Sequence, residues 1–176
     1  MLFEGIVMFS YCPNCCSPKI YSNNGLEFIC PSCNFNYFHN MAASVAALIT
    51  FEDEVLFTVR EKSPGAGLLD LPGGFVDHRE SLEKALSREV FEELGFHVDI
   101  SAWKYFCSQP NVYQYNDMTY HTCDSVFITS VNSKPELTLE KKEISNALWL
   151  KKDTIDITQV AFDSLRSALG DFIVLK

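Results

Sequence analysis

Residues 81–94 read SLEKALSREVFEEL and are followed by Gly95. Leu82, Leu86 and Val90 recur at helical spacing, Ser81 is a residue type that caps helix N-termini, and a glycine just past the end stops a helix. With Leu82 at 0° and about 100° per residue, Leu86 falls at about 40°, Val90 at about 80° and Ala85 at about 300°. On the same wheel Glu89 falls at about 340° and Glu93 at about 20°, in the middle of the apolar face. Glu92 and Arg88 fall at about 280° and 240°, on one flank and four residues apart, where they can pair. Any fold built on this helix must bury two carboxylates or give them a counter-ion.

A run of acids usually marks a solvated face. That reading fits poorly here, because Glu89 and Glu93 point where Leu82 and Leu86 point. Unpaired carboxylates are costly at a packed face, and two of them close together resist double ionisation unless a cation sits between them. A hard divalent ion with oxygen ligands, Mg²⁺ or Mn²⁺, resolves both difficulties, and such ions share their sites with substrate phosphates. The chain carries 23 acidic and 14 basic residues, a formal net charge of −9. That balance excludes a protein that coats nucleic acid by phosphate attraction, which needs a basic surface. It permits a small phosphorylated ligand wherever bound cations reverse the local field. Residues 77–99 hold seven acids against three bases, so the excess is concentrated around this helix.

Four of the seven cysteines form the pairs Cys12-Pro-Asn-Cys15 and Cys30-Pro-Ser-Cys33, with 14 residues between them. Two such knuckles complete a tetrahedral Zn²⁺ site. The alternative, two disulfides in a secreted protein, sits badly with an odd cysteine total and with close C-x-x-C pairs. The start MLFEGIVMFSYC has Glu4 where a signal peptide needs Lys or Arg. A cytoplasmic protein is the expectation. The residues leave open whether Met1 or Met8 is the start. The longest uncharged apolar stretch, Met41–Phe51, is too short for a membrane helix, which needs about 20 residues. Cys16, Cys107 and Cys123 are expected as small buried hydrophobes.

The predicted organisation is an N-terminal extension over 1–10, a zinc ribbon over 11–40 and a larger domain over 41–176. In the ribbon, short strands at Lys19–Ser22 and Leu26–Ile29 flank the turn Asn23-Asn24-Gly25. So short a unit buries little core, and the metal must supply its folding energy. Beyond it, Ser44–Thr50 reads as a central strand, followed by a strand at Val55–Val59 and a loop at Glu61–Leu69. Leu71–Val76 is a turn leading into a short strand. Strand-like stretches at Val98–Ser108, Tyr120–Val131 and Ala147–Leu150 precede a terminal helix, Val160–Leu169, stopped by Gly170. The mixture predicts an α+β domain with a mixed sheet and helices on its faces.

The pattern Gly74-x5-Glu80-x7-Arg88-Glu89-Val90-x-Glu92-Glu93-x-Gly95-Phe96 matches the Nudix hydrolase signature at every specified position. A ribbon directly before such a domain, together with Ser108-Gln109-Pro110 and Glu143-Ile144 ahead of Trp149, resembles the NADH pyrophosphatase group of that family. The resemblance implies an α/β/α sandwich and a metal-dependent hydrolase that cleaves the diphosphate of a nucleoside diphosphate joined to another group. It implies Glu89 and Glu93 as metal ligands, with the Gly73 carbonyl and Glu143 joining them. It implies that Glu92 pairs with Arg88 to hold the helix. Close approach of backbone to a metal or diphosphate gives Gly73 and Gly74 a physical reading as well. Glu80 is expected as a structural acid at the helix N-terminus.

Glu93 is also the first candidate for interaction with the attacking water. Gln109 is the retained member of the Ser-Gln-Pro motif, and Tyr113 and Tyr115 are candidates to stack on a base. The same alternation suits an ordinary strand. Arg60 is a candidate phosphate contact, with a plain surface arginine as the more economical reading. After Ser-Gln-Pro the group continues with tryptophan, prolines and phenylalanine, whereas this chain has Asn111-Val112-Tyr113-Gln114-Tyr115. NADH therefore stands beside ADP-ribose, FAD and related dinucleotides as a candidate. The competing class is a degenerate, nucleotide-sensing regulator whose ribbon touches protein or nucleic acid. The complete glutamate set argues against it, as does a ribbon with Lys19 and Glu27 but no basic cluster. As in the resembling group, the ribbon is expected to stabilise the chain or form a homodimer.

Overall fold

The computed structural model describes residues 9–115 and 118–175; Met8 and the residues before it, on which the choice of start turns, lie outside the described residues. The chain divides into two compact units, Met1–Met41 and Ala42–Lys176.

The first unit is a three-stranded antiparallel sheet of β1 (Tyr21–Asn23), β2 (Glu27–Cys30) and β3 (Phe35–Phe38). Both expected strands lie a residue or two later than their apolar residues suggested, because Asn23 pairs with Glu27 and the turn occupies 24–26. The third strand, absent from the sequence reading, pairs Phe35 with Cys30 and Tyr37 with Phe28. Phe28 is buried and meets Phe9 edge-on with ring centroids 5.2 Å apart. That is a very small core.

The second unit contains β4 (Ala42–Phe51), β5 (Glu54–Arg60), β6 (Leu69–Asp70), β7 (Gly73–Phe75), α1 (Leu82–Leu94), β8 (Lys104–Tyr115), β9 (Met118–Ser130), β10 (Ile144–Lys151) and α2 (Asp163–Val174). Its seven-stranded sheet runs β10-β5-β4-β9-β8, with β6 added to β5 and β7 to β4. The β4–β9 pair is parallel and the others are antiparallel, so the sheet is mixed. β4 sits in the middle, as its apolar run requires. Its alternate residues serve two cores: Val45, Ala47 and Ile49 pack with Ala85, Leu86, Val90 and Leu94 of α1. Ala46 and Leu48 pack with Leu165, Ala168, Leu169 and Phe172 of α2. The result is an α/β/α sandwich in which each fully buried leucine contributes about 1.5–3 kcal/mol. No helix among the described residues is long and apolar enough to cross a membrane; most of the Met41–Phe51 stretch is β4.

Two expected elements differ. The stretch from Val98 does not enter the sheet at once: Asp99 caps a 3₁₀ turn, Ile100–Ala102, and β8 begins at Lys104. Helix α2 begins later and does not stop at Gly170 but runs to Val174. Nothing within 4 Å surrounds the Gly170 Cβ position, and buried Phe172 beyond it packs edge-on to Phe106 with centroids 6.2 Å apart. That packing outweighs the roughly 1 kcal/mol a helical glycine costs. Cys16 is exposed rather than buried, and Cys107 and Cys123 are half-buried.

Candidate active site

Helix α1 forms as its sequence dictates. Ser81 accepts the Lys84 amide at 3.3 Å, and Gly95 takes the left-handed conformation (φ 76°), donating to the Phe91 carbonyl at 2.9 Å. Ala85, Leu86, Val90 and Leu94 are buried, and Glu93 is buried among them with 9% exposure. Glu89 sits one turn earlier on the same face, half-buried. Both carboxylates line a cavity of about 670 Å³ at one end of the sheet.

Strand β7, between β6 and α1, brings Gly73 and Gly74 to the same cavity. The Gly73 amide donates to Glu93 Oε2 at 3.1 Å. A Cβ on Gly73 would lie 2.0 Å from the Val45 carbonyl oxygen, and its φ of 153° disfavours a side chain. A Cβ on Gly74 would lie 2.6 Å from Glu89 Oε1. Backbone and carboxylates thus approach as closely as the sequence reading of the two glycines required.

Burial pushes the Glu93 carboxyl well above its ordinary range, reinforced by the negative charges of Asp70, Glu89 and Glu143; only the Gly73 amide pulls it down. Burial also raises Glu89, opposed by Arg88. Both carboxylates line the cavity, and oxygen donors are what a hard divalent cation takes. Glu143 is exposed and stands on the cavity rim. Its loop is pinned to the end of α1: the Thr138 and Glu140 amides donate to the Leu94 and Glu93 carbonyls at 2.9 and 3.0 Å. The helix's unpaired last carbonyls are thereby satisfied by the segment that carries Glu143.

Arg88 does more than pair with Glu92. It reaches Glu92 at 3.0 Å and Glu89 at 2.8 Å, and donates through Nη2 to the Phe75 carbonyl at 3.1 Å. It also grips both oxygens of Glu80, at 2.8 and 3.0 Å. Glu80 is therefore a partner of Arg88 across the first turns of α1, beyond the simple dipole acid of the sequence reading, and this bond holds its carboxyl below the ordinary range. One guanidinium ties α1 to the strand that carries Gly73 and Gly74.

The far side of the cavity is aromatic. Tyr113, Tyr115, Phe75, Tyr120 and Phe162 line it. Tyr113 meets Phe75 edge-on at 5.8 Å and Tyr115 in a stacked arrangement at 6.3 Å. Arg60 is no surface arginine: it lines the cavity, pairs with buried Asp70 at 2.6 Å, and lies 4.9 Å above the Phe162 ring. Gln109 lies outside the cavity lining; Asn111, two residues further along β8, occupies the corresponding place. Asp70, Asp124 and Phe162 are among the lining residues that escaped the sequence reading. Asp70 and Asp124 are acids inside apolar strand segments, a signal of the same kind that exposed Glu93. Phe162 precedes α2 and carries no such signal.

In the first unit the four cysteines converge. Cys12 and Cys33 Sγ atoms are 3.7 Å apart, as are those of Cys15 and Cys30. All four sulfurs lie within 4.8 Å of one another, the one such group of three or more His, Cys, Asp or Glu ligand atoms among the described residues. A tetrahedral Zn²⁺ with Zn–S near 2.3 Å sets its sulfurs about 3.8 Å apart, whereas a disulfide needs about 2 Å. The set fits zinc. The Asn14 amide donates to Cys33 Sγ at 3.4 Å and lowers that thiol, towards the thiolate that a metal takes, while the neighbouring Cys15 thiol is raised.

The NUDIX domain model matches residues 39–168. A Yersinia enterocolitica protein named NAD-capped RNA hydrolase NudC is 30% identical over 165 residues, covering 94% of this chain and 59% of that protein. The chain thus spans less than two thirds of the length of that relative. Among solved structures, a MutT NUDIX hydrolase from Burkholderia pseudomallei is 26% identical, with a TM-score of 0.64, covering 75% of this chain and 98% of its own. A NUDIX hydrolase from Nitrosomonas europaea, 20% identical, has a TM-score of 0.67 and covers 93% of this chain and 89% of its own.

Proposed function

The chain belongs to the Nudix family, and from that premise we propose that it is a hydrolase of the diphosphate linkage in a nucleoside diphosphate joined to another group. NADH, ADP-ribose, FAD and related dinucleotides are the substrate class. The observation that carries this reading is Glu93: a buried carboxylate in the cavity, one turn from Glu89 and bonded to a backbone amide across the cleft.

Glu89 and Glu93 hold Mg²⁺ or Mn²⁺, with the Gly73 carbonyl and Glu143 completing the set. A bound divalent ion supplies charge neutralisation on the diphosphate and acidifies the attacking water. Glu93 orients that water. Arg88 and Glu92 keep α1 seated on the loop that carries the two glycines. Gly73 and Gly74 leave room for a diphosphate beside the backbone. Tyr113 and Tyr115 offer flat apolar faces to a base or nicotinamide ring, and Arg60, held by Asp70, faces the same space. Gln109 lies outside the cavity lining, which Asn111 of the same strand joins instead.

Cys12, Cys15, Cys30 and Cys33 hold a structural Zn²⁺, which supplies the folding energy the small ribbon core lacks. The compartment this implies is the cytoplasm, where thiolates stay reduced. The ribbon stabilises the chain or joins two copies, which gel filtration with light scattering distinguishes. The relative named for NAD-capped RNA acts, by that name, on a nucleotide joined to a longer chain, so capped RNA belongs among the compounds tested. The deciding experiment is a panel of NADH, NAD⁺, ADP-ribose, FAD, diadenosine polyphosphates, NAD-capped RNA and nucleoside triphosphates, with products quantified in Mg²⁺ and in Mn²⁺. Turnover of dinucleotides ahead of triphosphates supports the reading; no turnover of any of them overturns it.

A further inference from the structure

Asp124 in β9 is 8% exposed and lines the cavity, yet no cation pairs with it among the described residues. Its carboxylate accepts from three hydroxyls instead. Oδ1 takes Ser44 Oγ of the neighbouring strand β4 and Thr122 Oγ1 at 2.6 Å, and Oδ2 takes Ser164 Oγ at 2.6 Å. Ser164 stands in the first turn of α2, and it too is buried. One buried anion therefore joins the two central parallel strands to the start of the second helix, where the helix dipole favours it.

The start of α2 breaks a local rule. Its N-cap position is occupied by Phe162, which offers no side-chain hydrogen bond to the first turn. Ser, Thr, Asp or Asn at an N-cap is worth about 1 kcal/mol, and a departure from local preference at a cavity wall is where function is to be sought. The Phe162 ring lies between two residues from distant strands. The Arg60 guanidinium of β5 sits 4.9 Å over it, and the Tyr113 ring of β8 is 5.7 Å from it, tilted by 46°. Arg60 in turn donates to the Pro64 carbonyl and to Asp70, each at 2.6 Å. Phe162 is in contact with both.

We propose that Asp124 is a positioning residue for substrate binding: through Ser164 it fixes the first turn of α2, and thereby holds Phe162 as the floor of a subsite for a planar heteroaromatic ring, flanked by Arg60 and Tyr113. This rests on the reading of the cavity as a nucleotide site. The ligand class is a base or nicotinamide ring, which stacks on the Arg60 guanidinium that Phe162 supports, beside the Tyr113 ring. The carboxylate itself stays saturated by its three hydroxyls and makes no contact with substrate.

The test compares wild type with D124A, S164A, D124N and F162L, using ADP-ribose and NADH in saturating Mg²⁺. D124A and S164A are expected to raise KM about tenfold with kcat within about twofold, the mark of lost binding shared by ground and transition states. D124N is expected to remain within about twofold of wild type. Asparagine keeps the shape, and the three hydroxyls rotate to suit its amide. In the F162L background the D124A effect disappears, because the two act through one ring. Where D124A fails to fold, S164A decides.

A second readout does not depend on turnover: the NMR resonance of the Arg60 Nε–H, which senses the Phe162 ring current and the bond to Pro64. It is expected to shift in D124A and S164A and to stay in D124N. An unmoved resonance together with an unchanged KM in folded D124A or S164A overturns the proposal, leaving Asp124 a fold-stabilising residue alone. Additivity of D124A and F162L overturns it as well. A protein that hydrolyses none of the nucleotides refutes the reading of function, while the resonance still judges the coupling of Asp124 to Arg60.

Discussion

The Glu93 carboxylate accepts the Gly73 amide at 3.1 Å and so closes the cleft between α1 and the glycine loop. Glu93 is buried, its negative neighbours are Asp70, Glu89 and Glu143, and its carboxyl is displaced well upward for those reasons. Glu93→Gln keeps the shape and the acceptor but removes the charge. Hydrolysis is expected to fall by at least about a thousandfold, as for loss of a group that acts in the transition state. The fold should persist, as circular dichroism and thermal melting would reveal. An active Gln variant would remove Glu93 from the site.

The same burial sets a pH dependence with a definite sign. A carboxyl whose folded pKa lies above its unfolded value binds its proton more tightly when folded. Its contribution to stability is complete below the unfolded value and is lost as pH rises through the folded one. Without divalent metal, wild type should therefore lose stability relative to Glu93→Gln as pH rises from about 4.5 towards neutrality. Added Mg²⁺ should narrow the gap by binding the charged form. Parallel melting curves of the two proteins across that range, metal-free, would contradict the placement of a buried, uncompensated charge at Glu93.

Gly74 tests the closeness of the backbone to Glu89 without replacing either carboxylate. A Cβ there meets the Glu89 carboxylate at 2.6 Å, the far end of a flexible side chain. Gly74→Ala should fold, because Glu89 can swing away, but it moves that carboxylate by about an ångström and activity should drop by about a hundredfold. Gly73→Ala meets the Val45 carbonyl at 2.0 Å, which cannot move without disturbing β4, and is expected to destabilise the whole unit. Equal behaviour of the two variants in melting experiments would refute this distinction.

Much of this site is legible in the sequence because helical geometry is rigid. Leu82, Leu86 and Val90 fix one face, and Glu89 and Glu93 fall on it whatever the rest of the chain does. The cysteine spacing is similarly informative, since a tetrahedral ion has one geometry. What escapes a linear reading depends on residues meeting across the sheet. The path of Arg60 to Asp70 and Phe162 joins β5, β6 and the start of α2. Gly170 misleads for the same reason: its local preference says stop, and Phe172 packing on Phe106 says continue. Gln109 and Asn111 share a strand face, and only the closure of the cavity decides which of them lines it.

Arg88 is a test of geometry more than of charge. Its guanidinium satisfies Glu80, Glu89, Glu92 and the Phe75 carbonyl together. Lysine carries the same charge on a single nitrogen and cannot span that set. Arg88→Lys should reduce kcat by about tenfold through a loosened glycine loop. Zinc content should not change. Full activity in the lysine variant would reduce the network to simple charge pairing.

The ribbon makes its own prediction. The four converging sulfurs call for about one zinc per chain by metal analysis of purified protein, with loss of that ion in Cys33→Ser. Because the ribbon core amounts to little more than Phe28 and its aromatic neighbours, metal loss should unfold it. Proteolysis would then trim the first unit and leave a resistant fragment beginning near Ala42. Metal-free protein with an intact ribbon would sink the zinc assignment.

Gln109 and Tyr113 separate two accounts of substrate choice. The family resemblance points to Gln109, while the cavity wall contains Tyr113 and omits Gln109. Tyr113 touches Phe75, Tyr115 and Phe162, so its removal opens the aromatic wall. Stacking on an aromatic ring is worth about 0.5–1.5 kcal/mol, which is about two- to thirteenfold in KM. Tyr113→Ala should raise KM for ADP-ribose by that amount or more, with kcat little changed. Gln109→Ala should leave KM within about twofold, as expected for a residue outside the lining. The reverse order would mean that substrate binding draws Gln109 inward, and that recognition runs along β8 instead of across the mouth of the cavity.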